Sequence, residues 1–311
     1  MTLPLSDCLL TWGGETILFR TDMPELVSAL RREAGPFFCD GPVAERAAAA
    51  LHLTLRRGGE GEVGPYDRVR PEVDPIRGVA DVVLEGPYSI DEKVLTTIVY
   101  AAVLLRFRLL QHHDHVLHLH AAVLVHEGKG YALVGPSGAG KTTITARWVR
   151  AGGRYLSDED ALMADGRVFP LPRALRTSVW GMRRLGLEGK TQSYQGFFND
   201  HGERWDVSSH YETTPLPLGG IVLLQPRSVE KARCMSVGRW DLWTRLIEEM
   251  HREYLDPANT SEIAQEVKRY NRQLFDTLER ILNQVPLVGI EYDLERDLDD
   301  LPALLTQWMD S

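Results

Sequence analysis

Gly135-Pro-Ser-Gly-Ala-Gly-Lys-Thr-Thr143 is the stretch on which the reading of this chain turns. It fits the pattern G-x-x-x-x-G-K-[ST], with Gly135, Gly140, Lys141 and Thr142 at the four fixed places. Its flanks sharpen the match: Tyr131 to Val134 predicts a short buried strand before it, and Thr143 to Arg150 predicts a helix after it. Strand, glycine-rich turn and helix together make a concave anion site, because the N–H groups of the turn and of the first helical turn have no intrahelical partners. Gly138 and Gly140 take Cβ atoms out of that approach and permit positive φ. On this reading Gly135, Pro136, Ser137, Gly138, Ala139, Gly140, Lys141, Thr142 and Thr143 hold the phosphate chain of a cofactor. Lys141 reaches the β and γ phosphates, and the Thr142 hydroxyl ligates Mg2+. The rival reading, a glycine-rich turn with an incidental lysine, leaves both flanks unexplained.

The chain around it has 311 residues, 43% hydrophobic and 25% charged, enough to bury a substantial core in one large or two modest domains. A formal net charge of -9 argues against a general nucleic-acid binder, which would carry a basic footprint. Cys8, Cys39 and Cys234 are far apart and form no C-x-x-C pair, so reduced thiols are expected rather than a zinc site or a disulfide framework. Met1 to Glu15 lacks the charged start and long apolar run of a signal peptide. The strongest apolar run, Val94 to Leu105, falls short of the ~20 residues that span a bilayer. A cytoplasmic protein is expected, with neither membrane nor nucleic acid among its partners.

Upstream of the loop, Cys8 to Arg20 predicts a hairpin around Gly13-Gly14, and Asp22 to Ala34 predicts a helix stopped by Gly35-Pro36. Leu51 to Leu55 predicts a strand, and Arg56 to Arg77, dense in Gly, Pro and charge, predicts an exposed connection. Residues 1–88 therefore read as a small accessory α+β region that packs on the core or meets a partner. Ser89-x-x-Glu92 has capping-box spacing and opens a core helix running to about Leu110. The histidine-rich run from Gln111 to His120 either offers metal ligands or caps the end of that helix. Val116 to Val125 predicts one strand carrying His118 and His120 on the same face, turned back toward the loop at Glu127 to Gly130.

Downstream, Gly152-Gly153 ends the loop helix and Arg154 to Ser157 predicts a strand leading into Asp158-Glu159-Asp160. Carboxylates at the C-terminal end of such a strand stand where ligands bind in open α/β sheets. One of them can hold Mg2+ or take the proton of an attacking hydroxyl; the alternative is a solvated acidic turn. Arg167 to Leu171 is strand-like, Arg173 to Leu187 is rich in arginine around Trp180, and Gly189 to Thr214 has no clear period and reads as a mobile substrate loop. Arg183, just before it, and Lys190 and Arg204 within it are candidate phosphate or substrate contacts, against the plainer reading as solvated charges. A strand at Leu216 to Leu224, helices at Arg239 to His251 and Glu262 to Asn283 separated by Asp256-Pro257, a strand at Val285 to Tyr292 and a helix at Leu298 to Met309 complete an α/β chain.

Phosphate loops serve many protein classes, and neither an LSGGQ-like signature nor an N-K-x-D motif occurs here. The chain resembles the catalytic domain of HPr kinase/phosphorylase and its shorter relatives, the HPr-kinase-like kinases of peptide-modification gene clusters. Leu119-His120-Ala121-Ala122-Val123-Leu124-Val125 is similar to the family's His-Gly-x-Leu-Val strand, with the histidine fifteen positions before Gly135. The loop is similar, with Thr142 in place of the usual serine. Arg154 to Asp160 is similar to the family's Leu-Ala-Asp-Asp step, with Asp158 and Glu159 on the two aspartates, and Pro215 to Gln225 adds a weaker match.

The resemblance covers residues 89–311 and implies a P-loop kinase core of the HPr kinase/PEP carboxykinase-like type, a mixed central sheet flanked by helices. It implies Asp158 as general base toward a serine hydroxyl, Glu159 as a lysine or magnesium partner, and His120 as a residue that tunes the base or contacts phosphate. With Lys141 these make up the expected catalytic set, and Thr142, Glu159 and Asp158 the expected metal set. The implied partners are ATP, Mg2+ and a serine-containing peptide or protein, by analogy with the shorter relatives a ribosomally made precursor of the lasso-peptide kind. Two departures matter: Glu159 replaces an aspartate, and the segments with which the HPr enzyme grips its partner and performs phosphorolysis are missing. A non-catalytic ATP-binding regulator and a kinase of a small hydroxyl compound such as free serine stay open as alternatives. Relatives form multimers, so a homo-oligomer is expected by resemblance alone.

Overall fold

Two mixed β-sheets share one apolar core in the computed structural model of the chain, which describes residues 5–12, 15–39, 51–58, 69–74, 77–86, 88–171, 173–195, 201–249 and 261–311. The first sheet starts with β1 (Ser6–Trp12) and β2 (Glu15–Thr21), an antiparallel pair with Leu9 opposite Leu18. The expected Gly13-Gly14 turn between them lies outside the described residues. Helix α1 (Pro24–Ala34) carries proline in its first turn, where a missing N–H does no harm, and stops at Gly35 with φ 51°. The sheet is completed by β3 (Phe38–Cys39), β4 (Leu51–Arg57), β5 (Val69–Asp74) and β6 (Val79–Leu84), in the order β3-β1-β2-β4-β6-β5.

Here the structure corrects the expected connection from Arg56 to Arg77, because Val69–Asp74 is an edge strand paired antiparallel to β6. Pro71 and its charged neighbours look like loop, yet an edge strand tolerates a residue with no N–H to donate. β6 was not anticipated either; it alternates half-buried with buried residues, and Ala80, Val82 and Leu84 enter the core.

One ion-pair cluster ties this region to the remainder of the chain. Glu33, in the last turn of α1 and 1% exposed, accepts from Arg176 Nη2 at 2.6 Å, from the Ala174 N–H at 3.2 Å and from Arg204 Nη1 at 3.4 Å. Removing one member of a buried ion pair strands the others in low dielectric. Glu33→Ala should therefore destabilise the protein by about 3–5 kcal/mol. Denaturant melts of the two proteins test this, and a difference below about 1 kcal/mol, the value of an exposed pair, would show that the cluster is solvated.

The second sheet is entered through α2 (Ile90–His112), whose capping box is present as expected: the Glu92 N–H donates to Ser89 Oγ at 3.1 Å and the Ser89 N–H to Glu92 Oε2 at 2.7 Å. Among the described residues α2 is the helix long and apolar enough to cross a membrane, and 78% of that stretch is buried inside the fold, as in a core helix. Next come β7 (Val116–Leu119), β8 (Ala122–His126), β9 (Lys129–Val134), α3 (Lys141–Arg150), β10 (Arg154–Ser157), β11 (Ala161–Ala164) and β12 (Arg167–Phe169). The single strand expected from Val116 to Val125 is thus two. At the break the His120 N–H donates to Glu249 O at 2.6 Å and the Ala121 N–H folds back to Leu119 O at 3.0 Å. β7 then pairs with β11, while β8 pairs with β9 and β10.

The loop-like reading of Gly189 to Thr214 is also corrected in part. β13 (Leu175–Thr177) is followed by α4 (Val179–Arg184), β14 (Gln192–Gln195) and β15 (His201–Trp205), and the three strands form a small antiparallel sheet in the order β13-β15-β14. Residues 196–200 lie outside the described residues. The chain finishes with β16 (Leu216–Pro226), β17 (Arg233–Met235), α5 (Arg239–Glu248), α6 (Ser261–Gln284), β18 (Leu287–Tyr292), α7 (Leu294–Asp297) and α8 (Leu301–Met309). The expected helix end at His251 and the Asp256-Pro257 break fall outside the described residues. β9, β16 and β18 run parallel and side by side in the nine-stranded sheet, so their C-terminal ends open at one edge. The fold is mixed α/β, and the loop of interest leaves that edge.

Candidate functional site

β9 delivers the chain to Gly135, and the turn that follows is held left-handed at Gly138, φ 79°, and Gly140, φ 87°. Gly140 is the N-cap of α3 and provides no capping side chain, so the first N–H groups of the helix have no side-chain cap. A Cβ at Gly140 would come within 2.8 Å of the end of the Leu294 side chain, which would have to move, and the φ of 87° itself favours glycine there. From the far side, the Tyr292 hydroxyl at the end of β18 donates to Ala139 O and pins the turn. These features fit a phosphate chain: the helix N-terminus supplies partial positive charge and unused donors.

The two side chains expected to serve that chain are engaged with protein groups. Lys141, 7% exposed, donates to Gly135 O at 2.8 Å and lies 3.8 Å from Glu249 Oε2. Burial pulls its pKa below the ordinary lysine value, and the carboxylates of Glu249 and Asp158 work against that pull. The Thr142 hydroxyl donates to Asp158 Oδ2 at 3.0 Å. The other oxygen, Asp158 Oδ1, is buried with no hydrogen-bond partner among the described residues. Burial pushes the Asp158 carboxyl above the usual range, against the pull of Arg173, the Thr142 hydrogen bond, Arg176 and Lys141.

Arg173 reaches all three residues of the acidic step. Arg173, 4% exposed, donates from Nε to Asp158 O at 3.0 Å, pairs through Nη2 with Glu159, and stands 3.7 Å from Asp160 Oδ2. Glu159 has φ 75°, a left-handed conformation uncommon outside glycine, and its carboxylate turns to Arg173. Asp160 Oδ1 lies 3.1 Å from His118 Nε2, and both side chains are buried. Asp158 faces the loop through Thr142.

The residues named from sequence thus fall into separate groups. Lys141, Thr142 and Asp158 come together as expected. Glu159 is placed with Arg173, His120 stands at the strand break, and His118 meets Asp160 of the acidic step. Arg204 is held by Glu33 and by Gln192 Oε1 at 2.6 Å; Arg183 and Lys190 are exposed. The histidine run divides its members: His113 bonds Asp165 at 2.7 Å and His115 lies 3.5 Å from Thr277 Oγ1. Among the described residues the cluster with metal-ligand spacing is elsewhere, at His126, Glu127 and Asp310, within 4.8 Å of one another on the surface.

Arg173 and Glu249 were missed from sequence. An arginine fifteen residues past Asp158 gives no local signal, and Glu249 reaches the loop only through the fold. Mg2+ fits this donor set, because a threonine hydroxyl and a carboxylate with an unused oxygen are hard oxygen ligands. No protein-family model matches the chain, and no curated protein matches it.

Proposed function

We propose that the chain is an ATP- and Mg2+-dependent kinase that phosphorylates a hydroxyl, with a serine of a peptide or protein as acceptor. The favoured acceptor is a ribosomally made precursor peptide of the lasso kind, on the strength of the resemblance to HPr-kinase-like kinases; residues 89–311 would then be a P-loop kinase core of that type. The observation that carries the proposal is the Thr142–Asp158 contact of 3.0 Å, with the second Asp158 oxygen buried next to the loop and without a hydrogen-bond partner among the described residues. A bare nucleotide sensor has no need of that oxygen, whereas phosphoryl transfer needs a group to orient the nucleophile and take its proton.

The magnesium nucleotide, when bound, supplies the phosphoryl group and the metal's charge neutralisation. The loop N–H groups and Lys141 hold phosphate charge, Asp158 Oδ1 accepts the proton of the acceptor hydroxyl, and Arg173 fixes Asp158 through its main-chain carbonyl. Incubation with labelled ATP, Mg2+ and serine-containing peptides tests the proposal by mass spectrometry. Phosphopeptide supports it, label on free serine moves the acceptor to a small molecule, and unaltered ATP leaves a regulator.

The raised Asp158 carboxyl gives the reaction a direction with pH. A base stays protonated and inactive until the pH passes its pKa, so the acid limb of the kcat profile should stand above the ordinary aspartate value of about 3.9. A limb at or below that value would mean that Arg173 and Lys141 outweigh burial.

A further inference from the structure

The buried face of α5 repeats through Leu242 and Leu246, both fully buried, and three residues after Leu246 the same face presents Glu249. Helical phase therefore directs a carboxylate, not an apolar side chain, toward the phosphate loop. Its side chain is 10% exposed and its Oε2 is 3.8 Å from Lys141 Nζ. Arg245, one turn back, pairs with Glu248 at 2.7 Å and approaches the other Glu249 oxygen at 3.8 Å. The main chain is fixed as well: the Glu249 N–H donates to Arg245 O at 3.0 Å, and Glu249 O accepts from the His120 N–H at 2.6 Å. The carboxylate is held at the loop lysine by a helix end that is itself tied to the break between β7 and β8.

A carboxylate and a phosphate oxygen make the same demand on a lysine, and two anions beside one buried ammonium repel each other where water screens them little. We infer that Glu249 is an internal competitor for the phosphate chain: in the resting protein its carboxylate holds Lys141, and a nucleotide gains Lys141 only by displacing it. The inference rests on the reading of Gly135 to Thr143 as a phosphate site. It assigns Glu249 a role in setting which ligands the loop accepts. Ligands whose phosphates reach Lys141, namely ATP and ADP, meet the competition. AMP, which lacks a β phosphate, does not.

The test is calorimetric titration of ATP, ADP and AMP into the full chain and into Glu249→Gln and Glu249→Ala, with circular dichroism to confirm that each variant is folded. If Glu249 holds the lysine about nine-tenths of the time, both variants should bind ATP and ADP about tenfold more tightly, because apparent affinity scales with the competent fraction. Affinity for AMP should not move, whereas a general loosening of the loop would change all three. Equal or weaker ATP binding in both variants, with the wild type binding normally, overturns the inference and leaves the phosphate-loop reading standing. A wild type that binds no ATP beside variants that do would support both the competition and the phosphate-loop reading, whereas no ATP binding by any of the three folded proteins would defeat that reading and the inference with it.

Discussion

Asp158→Asn should lower phosphoryl transfer by about 10²-fold or more while ATP affinity stays close to that of the wild type. Asparagine keeps the shape of the side chain and can still accept the Thr142 hydroxyl, so the 3.0 Å contact and the loop beside it should persist. What is lost is the oxygen that can take up a proton, now buried and without a hydrogen-bond partner among the described residues. Stability should not suffer. A carboxyl whose folded pKa is raised binds its proton more tightly in the folded state, so its contribution is present at low pH and is lost as pH rises through the folded pKa. The variant should therefore lose part of that pH dependence and be no less stable than the wild type at neutral pH. Near-normal turnover would remove Asp158 from the chemistry, and a loss of ATP binding equal to the loss of turnover would make it a metal ligand first.

Lys141→Ala should impair both steps. A charge-assisted hydrogen bond to a ligand contributes about 1.5–3 kcal/mol, so ATP binding should weaken by tenfold or more. Transfer should fall further, by about 10²–10³-fold, since charge on the phosphoryl group is stabilised most where it develops. The substitution also leaves Glu249 beside an apolar side chain at a buried position. Melting curves have to accompany the binding data for that reason. Unchanged ATP affinity in a folded variant would mean that Gly135 to Thr143 does not hold phosphate.

Local signals made the loop legible. The strand of Tyr131 to Val134, the left-handed glycines and the helix from Lys141 need only neighbours in sequence, and Asp158 follows within one further strand. Capping at Ser89 and the stop at Gly35 were legible for the same reason. Contacts formed across the fold were not. Nothing near Glu249 or Arg173 in sequence shows that they meet Lys141 and Asp158. The two histidines show the limit of periodicity: a period of two put His118 and His120 on one face, but the break after Leu119 separates them, and His118 bonds Asp160 in the acidic step. In the first ninety residues, Pro71 and its charges hid an edge strand, and Glu33 looked like one more surface acid on a helix. Its burial depends on Arg176 and Arg204, more than a hundred residues away.

Tyr292, which pins the carbonyl of Ala139, stands 153 residues later in the chain, and Leu294, which packs against Gly140, follows it. On the ribosome the loop is thus made long before its supports. A nascent chain that has emerged only as far as α6 holds every residue of the nucleotide motif and neither of these braces, nor the β18 strand that flanks β16. Competence of the loop to grip a phosphate chain should therefore arrive only after β18 has been made, about 150 residues behind the loop itself.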